Sequence, residues 1–447
     1  MRNNLHRCLQ IIGISALSLA LYAAPAIAQE RNLLELYTLA KTRDPAVARA
    51  DARLGAGRAD KDIAWAAVIP RVSANASVRQ LWTNVTDYTP DPITGRYTGY
   101  SYGIGTGIPI FNMPAYYQIA AAGAGITSAE AGVQAARQDL IIRLLDGYVR
   151  YLKAQADEKL YRDEMGRVGK VLGQSEAFLK AGTGDVIAVY EARARLDSAA
   201  ADLVKTGGQL RLAQQNLASL TGVAVDTVRD MTATAAGPEP AEMEWWLETM
   251  RQRSPALLQA REDLLQSEEL RKGAGAGHYP TLSGNGGYTV DKGSTFLPNV
   301  VTEQWYAGIQ LNVPIYSGGD TSARTRRARA GEAERRAMLD DAQEQGIRRL
   351  KEAYLNLQYN VSLLEAYRRK QESAELQLKA VQKGRDIGTR TAIDLLNSEQ
   401  TYAISRRDLT AATYDNLQRR LELKAAAGIL AEDDLLELGG IPVKDTK

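Results

Sequence analysis

Two short stretches gather polar side chains around a tight glycine turn, and any chemistry in this chain has to start from them. One is Gly388-Thr389-Arg390-Thr391-Ala392-Ile393-Asp394-Leu395-Leu396, continuing through Asn397 to Gln400. The other is Gly182-Thr183-Gly184-Asp185, continuing to Arg195. Each stands between two long helical patterns. Asp185 reads as a plain helix cap. Asp394 reads as an exposed acid in a first helical turn, stabilised by the helix dipole. Arg390 reads as a solvated arginine. No nucleophile–base pair converges on either turn, so neither looks like an enzyme site.

Other candidates for chemistry are few. The chain has one cysteine, Cys8, and two histidines, His6 and His278. Cys8 and His6 lie in an N-terminal leader: Arg2 and Arg7 supply its charge, Ile11 to Ala24 is apolar, and Ala26-Ile27-Ala28 is a small-residue cleavage site. The expected cut falls between Ala28 and Gln29. A mature chain without cysteine and with a single histidine has no disulfide, no thiolate nucleophile and no zinc motif. No cofactor, no metal and no enzymatic activity are expected. His278, before Tyr279-Pro280, reads as structural.

Arg324, Arg326, Arg327, Arg329, Arg335 and Arg336 suggest nucleic acid at first sight. Glu332, Glu334, Asp340 and Asp341 intersperse and follow them, which favours a solvated helix face. A formal net charge of +2 also argues against a nucleic-acid partner. Gly103, Gly105 and Gly107 imitate part of a dinucleotide fingerprint but lie within a strand pattern, not at a strand–helix turn. No GxxxxGK[ST] sequence occurs, so the chain binds no ATP through a P-loop.

The elements that position the two turns come in two copies. Asp44-Pro45-Ala46 and Ser254-Pro255-Ala256 open helical patterns 210 residues apart (255 − 45), with Asp44 and Ser254 as N-caps and the prolines at N1. Pro70 and Pro280 repeat that offset. Ile108-Pro109-Ile110-Phe111 and Val313-Pro314-Ile315-Tyr316 differ by 205, and the turns at Gly182 and Gly388 by 206. Four landmarks in one order indicate a duplicated domain, with the first repeat over 29–222, a linker over 223–243, the second repeat over 244–428 and a tail over 429–447. Strands are expected over about 71–88 and 98–112, then helices over about 113–181 and 185–221. Their counterparts are strands over about 281–291 and 301–316 and helices over about 321–387 and 391–427. The first helix of the second hairpin, starting near Thr321, would run roughly 100 Å, too long for one globular core.

The strands alternate with period 2. Tyr100, Tyr102, Ile104, Thr106, Ile108 and Ile110 share one face; Ser101, Gly103, Gly105, Gly107 and Pro109 share the other. Trp305, Ala307, Ile309, Leu311, Val313 and Ile315 oppose Thr302, Gln304, Tyr306, Gly308, Gln310 and Asn312. Such strands suit an outer-membrane barrel, although a soluble sheet with one buried face alternates in the same way. Four strands cannot close a barrel, and open edges are not tolerated in lipid. Other copies of the chain must complete it: two would give eight strands, three would give twelve, and the glycine-rich face favours the wider option. Segments Val85 to Gly99 and Asp291 to Glu303, with Pro90, Pro92, Gly95, Gly293 and Pro298, are expected as outward loops. Ile347, Leu350, Tyr354, Leu357, Val361 and Leu364 form a heptad seam, readable as an ordinary coiled coil or as part of a ring of helices.

At this point the sequence resembles the TolC family of outer-membrane efflux and secretion channels. The resemblance rests on the Gly388 motif, Gly277-His278-Tyr279-Pro280-Thr281-Leu282, Val313-Pro314-Ile315-Tyr316-Ser317-Gly318-Gly319 and Gly428-Ile429-Leu430-Ala431-Glu432-Asp433-Asp434-Leu435-Leu436. It implies a membrane α+β fold: a homotrimer with a 12-stranded β-barrel in the outer membrane of a Gram-negative bacterium, continued by a 12-helix barrel through the periplasm. The turns Gly182-Thr183-Gly184-Asp185 and Gly388-Thr389 would lie at its far tip, where an adaptor docks. The lead-in helices, linker and tail would form a belt around its middle. Asp394, Arg390, Thr391 and Asn397 would lie at the aperture: Asp394 as a charged ring, Arg390 as a tie between neighbouring hairpins, and Asn397 where a family relative has a second acid. The implied function is a passive exit duct for drug efflux or type I protein secretion. Its partners would be two further copies of itself, a periplasmic adaptor, an inner-membrane transporter of resistance-nodulation-division or ABC type, and outer-membrane lipid. The alternative from the residues alone is a structural coiled-coil envelope protein with no conduit.

Overall fold

The computed structural model describes residues 30–85, 93–231, 235–293 and 300–438. The expected cleavage site at Ala28 and Gln29, and the loop residues Pro90, Pro92 and Pro298, lie outside them.

The chain begins with α1 (Leu33–Arg43) and α2 (Pro45–Ala66). Asn32 and Glu35 form a capping box on α1. Asp44 caps α2, its Oδ1 accepting from the N–H groups of Ala46 at 2.9 Å and Val47 at 3.0 Å. Strands β1 (Arg71–Val85) and β2 (Ile93–Phe111) follow, then α3 (Met113–Lys180) and α4 (Val186–Thr221). The second round is α5 (Met243–Arg253), α6 (Pro255–Gly275), β3 (Thr281–Lys292), β4 (Val301–Asn312), α7 (Asp320–Asp386) and α8 (Ala392–Ala427), closed by α9 (Asp433–Leu438). The rounds match in length: α1 and α5 have 11 residues each, α3 and α7 have 68 and 67, and α4 and α8 have 36 each. Gly222 at φ 74° and Gly428 at φ 78° end α4 and α8 alike.

Two local expectations need correction, and a third holds in position only. Ser254 stands at the N-cap of α6 but its side chain makes no cap hydrogen bond; Asp44, by contrast, is held in place by Arg143 at 2.8 Å. β2 starts at Ile93, so Gly95 and its neighbours are strand rather than loop: the ladder continues through Trp82 opposite Arg96, whose guanidinium lies 5.0 Å from the indole ring. β4 ends at Asn312, so Val313 and Ile315 are not strand positions. Pro314 has no N–H to donate, and Gly318 and Gly319 turn the chain at φ 64° and 84°.

The four strands make one antiparallel sheet in the order β1-β2-β3-β4. Its register puts the apolar set on one face: Val72, Val78 and Trp82 of β1, Tyr102, Ile104 and Ile108 of β2, and Trp305, Ile309 and Leu311 of β4. These side chains are exposed, Trp82 at 77%, Trp305 at 80% and Ile309 at 75%. The opposite face carries Ser73, Asn75, Gly103, Gly105, Asn285, Gly287, Gln304, Tyr306 and Gln310. Covering a large apolar side chain with apolar surroundings is worth about 1.5–3 kcal/mol. A contiguous apolar face of this kind therefore calls for an apolar neighbour.

The helices form a single layer below the sheet. A 68-residue helix such as α3 spans roughly 100 Å and persists through packing along its length rather than through propensity. Near the sheet the contacts run α2–α3–α6–α7; farther away they run α4–α3–α8–α7. The layer and the sheet thus share their edges: β1, α2 and α4 on one side, β4 and α7 on the other. The edge helices keep large apolar side chains in the open, Val204 and Leu212 on α4 and Leu355, Tyr359 and Leu376 on α7.

The core lies midway down the layer. α1, α9 and linker residues Val225 and Val228 pack on Leu140, Leu144 and Tyr148 of α3, Leu217 of α4 and Leu417 of α8. Tyrosine hydroxyls pin the linker: Tyr148 donates to Arg229 O, Tyr151 to Asp226 O at 2.8 Å, and Tyr414 to Asp230 Oδ1 at 2.8 Å. A second cluster joins α5 and α6 to the heptad seam: Trp246 and Met250 meet Leu350, Tyr354 and Leu357, with Leu423 of α8. The seam of α7 is therefore filled by the chain's own α5 and α8. Among the described residues no helix is long and apolar enough to cross a membrane.

Candidate functional site

Both hairpin turns are built by the same bonds. At the first, Thr183 donates its N–H to Phe178 O at 3.0 Å and its hydroxyl to the same carbonyl at 3.3 Å. At the second, Thr389 does the same to Gly384 O, at 2.8 and 2.9 Å. Gly182 and Gly388, at φ 73° and 77°, supply the left-handed residue that each reversal needs. Gly184 is required for a different reason: a Cβ there would come within 2.5 Å of Leu179 N.

Each turn is followed by a cap. Asp185 accepts from Ile187 N at 2.9 Å. Thr391 caps α8, and Asp394 completes the capping box. Asp394 Oδ2 accepts from the N–H and the hydroxyl of Thr391, both at 3.0 Å, while Thr391 Oγ1 accepts from Asp394 N at 3.1 Å. The Thr391 N–H, the Thr391 hydroxyl and the charge of Arg390 hold the Asp394 carboxyl below the usual aspartate range. Asp394 is thereby held toward its ionised form and fixed in direction. The Arg390 N–H donates to Gly384 O at 3.2 Å. Among the described residues its guanidinium has no hydrogen bond or ion pair within the chain.

The two turns lie at one end of the layer. Arg385, one residue before the end of α7, donates to Gln174 of α3 at 2.6 Å. Arg195 of α4 reaches α8, donating to Gln400 Oε1 at 2.7 Å and to Asn397 Oδ1. Arg167 of α3 stands 3.9 Å from Glu399, over a small apolar contact of Val168, Val171 and Leu396. Asn397 therefore sits in a polar tie between hairpins. Burial raises the carboxyl pKa of Glu399 and of Glu164, against the opposing charge of Arg167.

Reading the sequence locally missed Arg385, Gln174, Arg167 and Glu399, and left Arg195 without a partner. The available signal was a run of polar residues, Asn397, Glu399 and Gln400, on a helix that otherwise buries Leu395, Leu396 and Ser398. The tip also exposes Phe178, Ile187, Tyr190 and Ile387. Among the described residues no group of three or more His, Cys, Asp or Glu side chains could hold a metal ion. The site offers charge and hydrogen bonds between the two hairpins.

Comparison with known proteins returns one family model, described as outer membrane efflux protein, which matches residues 36–223 and 246–429. The chain is 26% identical to outer membrane protein TolC of Vibrio cholerae over 413 residues, covering 91% of this chain and 93% of that one. It is also 26% identical to the alkaline protease secretion protein AprF of Pseudomonas aeruginosa, covering 90% and 86%. Among solved structures it matches the outer membrane protein VceC of Vibrio cholerae with a TM-score of 0.75 at 19% identity, covering 89% of this chain and 96% of that one.

Proposed function

The chain belongs to the outer membrane efflux protein family, and on that premise we propose that three copies form the passive exit duct of a tripartite drug-efflux pump or of a type I secretion system. Its place is the outer membrane of a Gram-negative cell, with the helices extending into the periplasm.

The observation that carries the trimer is the pair of shared edges. β1, α2 and α4 are open on one side of the chain, β4 and α7 on the other. A sheet edge in lipid must be paired. Joining β4 and α7 of one copy to β1, α2 and α4 of the next closes sheet and helical layer together. Three copies give twelve strands and twelve helices. The apolar face then meets lipid, and the Ser, Asn, Gln and Gly face lines water.

The remaining roles follow from position. α1, α5, α9 and the linker, packed midway down the layer, form a belt around the tube. The tip is the periplasmic aperture. Three Asp394 carboxylates, each fixed by Thr391, attract cations into it. Arg390, whose guanidinium has no hydrogen bond or ion pair among the described residues, reaches a neighbouring hairpin. Arg385–Gln174 and Arg195–Asn397 hold the two hairpins of one copy together. Gly182, Thr183, Gly184, Asp185, Gly388 and Thr389 shape the surface on which a periplasmic adaptor docks, helped by the exposed Phe178 and Ile387. Docking shifts the balance between closed and open packings of the same helices. The inner-membrane transporter supplies the energy. The names of the alkaline protease secretion protein and of the proteases secretion protein PrtF of Dickeya chrysanthemi bring protein cargo within this reading.

Native mass measurement of the detergent-extracted protein tests the assembly. Three copies are expected; a monomer or dimer as the sole species would sink the closed-ring account.

A further inference from the structure

One tyrosine on the polar face of the sheet does not stand up from it. Tyr306 of β4 lies opposite Gly287 of β3, which lies opposite Gly105 of β2. Its ring reclines across both neighbours. A Cβ built on Gly287 would come within 2.8 Å of the Tyr306 Oη and 2.9 Å of its Cζ; one built on Gly105 would come within 3.3 Å of the Oη. Neither glycine has a positive φ, so the backbone does not demand glycine at either place. The missing side chains leave a shallow seat two strands wide, and the aromatic ring fills it. A ring lying over glycines on adjacent strands also covers backbone that would otherwise be bare. Tyr306 is the sixth of the twelve residues of β4, and the register sets it level with Ser73, the third residue of β1.

We propose that Tyr306, seated on Gly105 and Gly287, sets the width of the passage at its own level of the sheet-lined segment. The proposal rests on the reading of this face as the wall of the conduit. With the ring flat, the wall at this level is backbone plus the thickness of one aromatic ring. With the ring raised, three phenols at one height would project into the passage and narrow it. The glycines are thus the width-setting residues, acting through the tyrosine they accommodate. This face also carries Arg71, Arg79, Leu81 and Tyr97 at other levels; at the level of Tyr306 its neighbours are Gly287, Gly105 and Ser73, and the ring is the large side chain.

The test uses full-length protein in intact cells. The only cysteine of the sequence, Cys8, lies in the expected leader, so Asn312→Cys gives the mature chain a single thiol. Asn312 is on the same face as Tyr306 at the helix end of β4 and is exposed. External labelling is followed with a small maleimide and with one carrying a polyethylene glycol chain. Both should label the Asn312→Cys protein; labelling by neither would remove the conduit reading itself. Adding Gly105→Val should slow the bulky reagent about tenfold and leave the small one unchanged. Adding Tyr306→Ala to that variant should restore the bulky reagent. Gly105 suits the test because a Cβ there meets no backbone atom closer than Gly286 O at 3.9 Å, whereas at Gly287 it would meet Ile104 O at 2.6 Å. Gly105→Ala should act in the same direction and more weakly, and serves where Gly105→Val lowers assembly. Unchanged labelling by the bulky reagent in the Gly105 variants, or slow labelling that Tyr306→Ala does not relieve, overturns the proposal.

Discussion

Arg385 of α7 and Gln174 of α3 share a hydrogen bond of 2.6 Å across the gap between the two hairpins, within one turn of helix α7's end and two of α3's. The bond is exposed and lies where the hairpins have little apolar contact, and on the proposed reading it is a latch between them.

Breaking that latch should raise the leak of the closed state. An exposed polar tie contributes about 0.2–1 kcal/mol, which shifts a closed–open balance by at most about fivefold. Arg385→Ala and Gln174→Ala should each give a rise of this size in single-channel recordings, and the double variant no more than either alone, because one bond is lost in all three. Additive effects would show that the residues act separately. Arg390→Ala should also raise the leak, through the tie to a neighbouring copy.

Asp394→Ala should weaken cation preference and block by multivalent cations. The pH dependence has a definite sign. The folded carboxyl sits below the usual aspartate range because Thr391 and Arg390 favour its charged form, so its charge is present above that range and is lost only as pH falls through the depressed value. Block should therefore persist to a lower pH than an ordinary aspartate would allow. Thr391→Val, which removes the hydroxyl, should move the loss of block to higher pH. The same recordings in a pH series check both.

How much of this was legible in the sequence depends on how local each feature is. The caps at Asp44 and Asp185, the prolines at 45 and 255 and the glycines at 182 and 388 act within a few residues, and their spacing carries the message. The start of β2 was hidden because Thr94-Gly95-Arg96-Tyr97-Thr98 has no apolar alternation; what holds it is pairing with β1, Arg96 against Trp82. The end of β4 misled in the other direction, since Val313 and Ile315 continue the alternation past a proline that ends the ladder. At the tip, Thr391 and Asp394 have capping-box spacing, yet the residues alone read as a helix-end charge, and the aperture ring came from the resemblance. Arg195, Arg385 and Glu399 were illegible as a set, since their partners lie about 200 residues away or on another helix.

The two N-caps of the repeat should differ sharply. Asp44 is 5% exposed, caps two N–H groups and pairs with Arg143. Asp44→Ala should cost about 2 kcal/mol, from the lost cap and the lost partner of the arginine. Ser254→Ala should change stability by no more than about 0.5 kcal/mol, since its side chain makes no cap bond. Chemical unfolding of the two variants side by side distinguishes them.

Glu399 supplies a pH effect of opposite sign to Asp394. Burial raises its folded pKa above the unfolded value, so its contribution to stability is fully present at acid pH and is lost as pH rises through the folded pKa. Glu399→Gln should therefore stabilise the tip at neutral pH, and the difference from the parent should fade on acidification. Melting curves of parent and variant from neutral pH to below the glutamate range check this; a difference that does not change with pH would show that burial does not raise the Glu399 pKa above its unfolded value.

The central claim is that the chain encloses a water-filled path, and planar-bilayer recording of the purified full-length protein tests it most directly. The account predicts discrete conductance steps that favour cations and are blocked from the helix-tip side by multivalent cations. A folded, bilayer-inserted preparation that gives no steps would contradict it.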